Sequence, residues 1–350
     1  MHSRLLRAVA ILVLLDGIIV LLGGIIATAL VPASAQSPAL VVYSGRREPL
    51  ILPVIERFRR ATGIQVTVRS GGIGELANLV LEERGRPRAD VLISNEVSVL
   101  EVLRREGVLQ PYLGAVVRAI PREFRAHDGT WIGLSLRAHV IMANRERLSE
   151  WGLPVPASMA DLAAPPWRGR VVMPVFTNEY IVAWLSALRL VRGDGWTEEF
   201  FRRLRDNRPT LVASGTQVRQ AVARGEAAVG IANHYYYHLQ IAEGSRNLEV
   251  VYPDQGPDGM GVLVSPSGIA IVMGAPNPAM ARRFIDFLAG DRRAQEFYAM
   301  ANFEYPILPG VPLHPDVRPL DRVKRMAVTY QQLGELRDGT LRLIREGAFR

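Results

Sequence analysis

The 350-residue sequence contains no cysteine, which excludes disulfide staples, thiolate metal sites and a lipid-modified N-terminal cysteine. Lysine is almost missing too: of 42 basic residues all but Lys324 are arginine, set against 34 acidic ones. The arginines lie among acids, as in Glu82-Glu83-Arg84 and Glu198-Glu199-Phe200-Phe201-Arg202-Arg203. They form no basic stripe interleaved with aromatics, so a nucleic-acid partner is not expected. A Gly-x-Ser-x-Gly elbow, a His-Glu-x-x-His helix and a Walker loop are also lacking, and His127, His139 and His314 stand alone. An enzyme is therefore not expected. There is no repeat of solenoid period.

What is present begins with Arg4 and Arg7, an apolar stretch over 8–31 and then Pro32-Ala33-Ser34-Ala35. A basic start, an apolar run and an Ala-x-Ala site describe a secretory signal over 1–35, cut before Gln36. The stretch is long enough to span a bilayer, so an uncleaved anchor is the alternative, disfavoured by Asp16 within it. The expected location is periplasmic or otherwise extracytoplasmic. The mature chain, about 315 residues, is long enough for two packed lobes.

Behind the signal, short β-branched runs alternate with amphipathic ones. Leu40-Val41-Val42-Tyr43-Ser44 reads as a strand, 49–61 as a helix, 64–68 as a strand and 75–83 as a helix. The pair recurs at 89–94 and 97–106, and again at 170–174 and 179–191, with a further strand at 227–232. The alternation predicts an α/β fold of two lobes with mostly parallel sheets. Residues 131–143 and 261–273 are long extended segments, the second broken at Ser265-Pro266-Ser267-Gly268. They read either as crossings through a hinge, allowing closure of an interlobe cleft, or as core strands of one large sheet. Ligands sit beyond the carboxyl ends of parallel strands, so the loops carrying Ser44 to Arg47, 70–74, and Ser94, Asn95 and Glu96 are expected to face the ligand.

The most unusual local sequence is Asn233-His234-Tyr235-Tyr236-Tyr237-His238, directly after the strand at 227–232. Phenolate oxygen is a hard anionic donor suited to Fe(III), and a bound cation overturns the phenol's ordinary preference for its proton. The alternative chemistry is an aromatic wall that stacks on an organic ligand.

With these elements in order, the sequence resembles the periplasmic ferric-iron-binding components of ABC importers, which are type II periplasmic binding proteins. The resemblance rests on Val42-Tyr43-Ser44-Gly45-Arg46-Arg47-Glu48-Pro49-Leu50, Phe58-Arg59-Arg60-Ala61-Thr62-Gly63-Ile64 and Arg88-Ala89-Asp90-Val91-Leu92-Ile93-Ser94. It continues through Asn233 to Tyr236 and Asn302-Phe303-Glu304-Tyr305-Pro306-Ile307, and so covers nearly the whole mature chain. It implies two lobes around a hinged cleft: lobe 1 from 36–137 and 263–310, lobe 2 from 138–262, and a C-terminal helical segment, 311–350, packing on them. It also implies Fe(III) bound by Tyr235 and Tyr236, an ABC permease and ATPase as partners, and a monomer.

The sequence departs from the family at three possible ligand positions. Arg47 stands where some members have histidine, Asn95 with Glu96 beside it where others have a carboxylate, and Ala143 beside Met142 where others have a tyrosine. Two tyrosines need further ligands, from Glu96, Tyr180, a histidine, water or an anion such as carbonate, phosphate or citrate. The resemblance maps the anion site onto Asn233 and Ser214-Gly215-Thr216, with Arg137 able to neutralise it. Ser214 also reads as a simple helix N-cap. The runner-up function is a binder of a small organic or phosphorus-containing anion, selected by Arg46, Arg47 and Arg137.

Overall fold

The computed structural model describes residues 39–346; the expected signal or anchor lies outside the described residues. The chain opens as β1 (Leu40–Ser44), α1 (Glu48–Thr62), β2 (Val66–Ser70), α2 (Ile73–Glu82), β3 (Val91–Ser94), α3 (Val97–Arg105) and β4 (Leu109–Gln110). The helix α1 shows why the alternation was readable. Its buried residues Ile51, Val54, Ile55 and Phe58 recur at three and four positions, a single apolar stripe. It stops at Gly63, whose φ of 71° suits a left-handed cap and whose N–H donates to Arg59 O at 2.9 Å.

After α4 (Ala115–Ala119) comes β5 (Ile132–Asn144), buried at all 13 residues. The second half of the alternation follows as α5 (Arg145–Glu150), β6 (Val171–Pro174), α6 (Glu179–Arg192), α7 (Asp194–Asp206), β7 (Thr210–Val212), α8 (Gly215–Ala223), β8 (Val229–Asn233), α9 (His234–Ala242) and β9 (Leu248–Val251). The chain closes with β10 (Val264–Val272), α10 (Pro278–Gly290), α11 (Arg292–Met300), β11 (Tyr305–Pro306) and α12 (Tyr330–Glu346).

The strands form one path, β2-β1-β3-β10-β5-β8-β6-β7, with β11 and β9 also on β5 and β4 on β10. Parallel pairing links β1 to β2 and β3, and β6 to β7 and β8, while every antiparallel pair involves β5 or β10. The long strand β5 joins the two lobes. Up to Ala138 it pairs with β10 and β11; from His139 it pairs with β8 and β9. The segment at 261–273 differs from expectation in two ways. It stays with β3, β4 and the first part of β5, and it is not broken at 265–268. The irregularity there is a register shift between Ser267 and Gly268, where a Cβ on Gly268 would meet Leu100 Cδ1 at 2.7 Å and Val97 Cγ1 at 2.8 Å. Backbone and helix side chains approach too closely for any other residue. Finally, α12 packs on α3 of one lobe and α6 of the other.

Candidate functional site

The point where β5 changes partners is also where the predicted residues gather. Arg137 precedes the switch, and Asn233, the last residue of β8, pairs with His139 just after it. The Ala138 amide donates to His234 Nδ1 at 3.1 Å, so the first residue of α9 is tied to β5. Burial lowers the His234 pKa to about 3, which keeps the ring neutral and able to accept that bond. The ring also stacks on Tyr305, with centroids 4.6 Å apart. Tyr235 and Tyr236, next in the first turn of α9, are thereby fixed beside the switch.

A cavity of about 130 Å³ opens there, lined by Arg47, Asn95, Arg137, Pro174, Asn178, Tyr180, Ser214, Gly215, Asn233, Tyr235 and Tyr236. The wall is built from strand ends and helix starts: Arg47, Asn178, Ser214 and Asn233 are the N-caps of α1, α6, α8 and α9. Such termini present partial positive charge to the enclosed space, which favours an anion. The cap reading of Ser214 also holds, since its hydroxyl accepts from the Gln217 amide at 3.4 Å in a capping box.

The phenols of Tyr180, Tyr235 and Tyr236 converge in this space. The Tyr235 and Tyr236 rings lie 4.3 Å apart, tilted by 33°. A Cβ on Gly215 would sit 2.4 Å from Tyr236 Cε2, so glycine here makes room for the ring against the first turn of α8. Tyr180 stacks on His139 at 4.0 Å. Burial, then the neighbouring Tyr236, pushes the pKa of Tyr180 and of Tyr235 well above the ordinary phenol value, with Arg137 opposing. Among the described residues, Asn95 Oδ1, Asn233 Oδ1, Tyr180 OH, Thr216 Oγ1 and Arg137 Nε are buried without a hydrogen-bond partner. Buried polar atoms are normally paired, so the four of these that belong to cavity-lining residues, on Asn95, Asn233, Tyr180 and Arg137, point to a ligand there.

Other expected residues are elsewhere. Ser44 is buried behind the wall, where its hydroxyl accepts from the Arg46 amide at 3.3 Å. Arg46 is not available to an anion: it donates twice to Glu304, at 2.9 and 2.8 Å, and to Ser135 and Ser267 at 3.0 and 2.5 Å. Its neighbour Arg47 is exposed at the cavity rim. Glu96 does not reach the wall as a metal ligand would. It is buried behind Arg137, with Oε2 accepting from Ser265 Oγ at 2.8 Å and lying 3.6 Å from Arg137 Nη2. Burial pushes its pKa up to about 7 against the pull of Arg137. Arg137 itself donates to Asn95 O and to Pro266 O. Ala143 and Met142 lie deep in β5 away from the cavity, and Tyr237 is half-buried outside it.

Nothing in the sequence around Pro174 and Asn178 marks them as site residues beyond the position of Asn178 as a helix cap directly after a strand. No group of three or more His, Cys, Asp or Glu among the described residues is placed to hold a metal.

Residues 86–326 match the model of the family described as bacterial extracellular solute-binding protein. The chain belongs to that family. Over 309 residues it is 31% identical to "Iron uptake protein A1" of Synechocystis, covering 84% of this chain and 82% of that protein. Iron-bound HitA from Pseudomonas aeruginosa superposes with a TM-score of 0.80 at 27% identity, covering 88% of this chain and 99% of the other. The Trichodesmium protein IdiA (FutA), in complex with iron and citrate, gives 0.71 at 27% identity over 89% and 99%. For this solute-binding protein, the two-lobed type II periplasmic fold expected from the sequence is thus the observed one, and the cavity lies between its lobes.

Proposed function

We propose that this solute-binding protein captures Fe(III) outside the cytoplasm, on the phenolates of Tyr180, Tyr235 and Tyr236, and delivers it to an ABC permease and ATPase. The observation that carries this reading is the convergence of these phenols in one small buried cavity. Relatives of similar length named for iron uptake, and neighbours solved with iron, support it. Phenolates together match the charge of Fe(III), and Arg137, Arg47 and the helix N-termini then leave a net positive field. An accompanying anion, carbonate, phosphate or citrate, satisfies that field at Asn95, Asn233 and Ser214. A cavity of about 130 Å³ favours the smaller two.

Burial holds the Tyr180 and Tyr235 phenols protonated; iron displaces those protons and becomes the charge they face. The protein acts as a monomeric carrier without catalysis or nucleic acid. Its lobes, 36–137 with 263–310 and 138–262, close on the ligand. Titration with ferric citrate tests the reading: phenolate bound to iron produces a visible charge-transfer band. A protein that stays colourless at saturation while binding metal-free organic or phosphorus-containing anions belongs to the runner-up class.

A further inference from the structure

The wall of the cavity contributed by Tyr180 is held from outside the cavity. Tyr180 is the second residue of α6, and the first, Glu179, gives its carboxylate to Arg337. Arg337, on α12, donates to both of its oxygens, from Nε to Oε2 at 3.0 Å and from Nη2 to Oε1 at 2.5 Å. Both side chains are nearly buried, 12% and 11% exposed. The remaining Arg337 nitrogen, Nη1, donates to Asp338 at 3.0 Å. The carboxylate also faces the opposite lobe: a Cβ on Gly74, in the first turn of α2, would lie 3.1 Å from Glu179 Oε1. Negative charge is favoured at a helix N-terminus, so Glu179 is drawn to the starts of α2 and α6 together.

The helix that supplies Arg337 is itself anchored on both lobes. Gly334 O accepts from Arg105 of α3 at 3.1 Å, and Thr340 Oγ1 meets Ser186 Oγ and Arg189 Nη1 of α6, each at 2.9 Å. We infer that Arg337 is a positioning residue for Tyr180: through Glu179 it holds the first turn of α6 across the cleft, so that the Tyr180 phenol faces Tyr235 and Tyr236. The inference rests on the reading of Tyr180 as an iron ligand.

The test titrates wild type, Arg337→Gln, Tyr180→Phe and the double variant with ferric citrate, following affinity and the visible band. Arg337→Gln weakens ferric binding roughly tenfold, the change that ~1.4 kcal/mol produces, and shifts or dims the band. In the Tyr180→Phe background the same substitution costs little more, because the side chain it positions is already disarmed. Arg337→Lys, which keeps the charge, recovers part of the loss. Melting of the iron-free proteins reports folding; if Arg337→Gln does not fold, Glu179→Gln removes the same pair from its other end. Unchanged affinity and band in the single variant, or losses that simply add in the double, overturn the inference while the iron reading stands. A wild-type protein with neither band nor ferric affinity overturns both.

Discussion

At the scale of single residues, neighbours in sequence have opposite fates. Arg46 is locked to Glu304, 258 positions away, while Arg47 stands at the rim of the cavity. Asn95 reaches the cavity and Glu96 does not. For the tyrosines the prediction is direct. Tyr235→Phe and Tyr236→Phe keep ring volume and remove the donor atom, so each lowers ferric affinity more than tenfold, or ~1.4 kcal/mol. Melting temperature should hardly move, because the ring packing persists. Calorimetric titration beside thermal melts separates the two effects. Glu96 offers a second prediction. Its raised pKa means that the folded state holds a proton the unfolded chain releases, so this group's stabilisation is complete below its ordinary value of 4.5. That contribution is lost as pH rises to about 7 and then stays constant. Glu96→Gln, which cannot ionise, should therefore gain stability relative to wild type across that window, as denaturant unfolding at pH 4.5 and pH 8 will show.

At the scale of elements, α12 is the connection that local pattern did not reveal. Its 17 residues bury Leu333, Gly334 and Thr340 against helices of two lobes. Gly334 is the tightest point, where a Cβ would lie 2.4 Å from Glu101 Cβ. An alanine gains about 1 kcal/mol of intrinsic helix preference but must force α12 and α3 apart, and overpacking costs about 1–3 kcal/mol. Gly334→Ala should thus destabilise the protein in urea denaturation despite its better helix propensity. The same close approach recurs at Gly215, where the displaced group is the Tyr236 ring. Gly215→Ala should accordingly weaken ferric binding more than it lowers stability.

For the whole molecule, loading and release follow from protons. Burial raises the phenol pKa of Tyr180 and Tyr235, so under the proposed function iron must displace protons to bind, and acid favours release. Ferric affinity should rise with pH across the neutral range, with proton release measurable in a weakly buffered titration. Loading at a hundredfold excess over the dissociation constant should stabilise the fold by about 2.7 kcal/mol. Small-angle scattering should show a more compact particle with iron than without, if β5 and its surroundings act as a hinge. An identical profile at saturation would remove closure from the account.

The sequence by itself determined the alternation of strands and helices, because apolar spacing and β-branched runs are local and survive without knowledge of their partners. It also located the tandem Tyr235 and Tyr236, since a strand end followed by a helix start is a local signal. What only the tertiary structure decided is which distant groups complete the site. Tyr180 enters from α6, not from the strand carrying Met142 and Ala143, because β6 and β8 lie side by side and bring their following helices to one edge. Arg46 and Glu96 are withdrawn from it by Glu304 and by Ser265 with Arg137. Such pairings depend on which strands adjoin and where β5 changes partners, and no spacing along one segment encodes a contact with a residue hundreds of positions away.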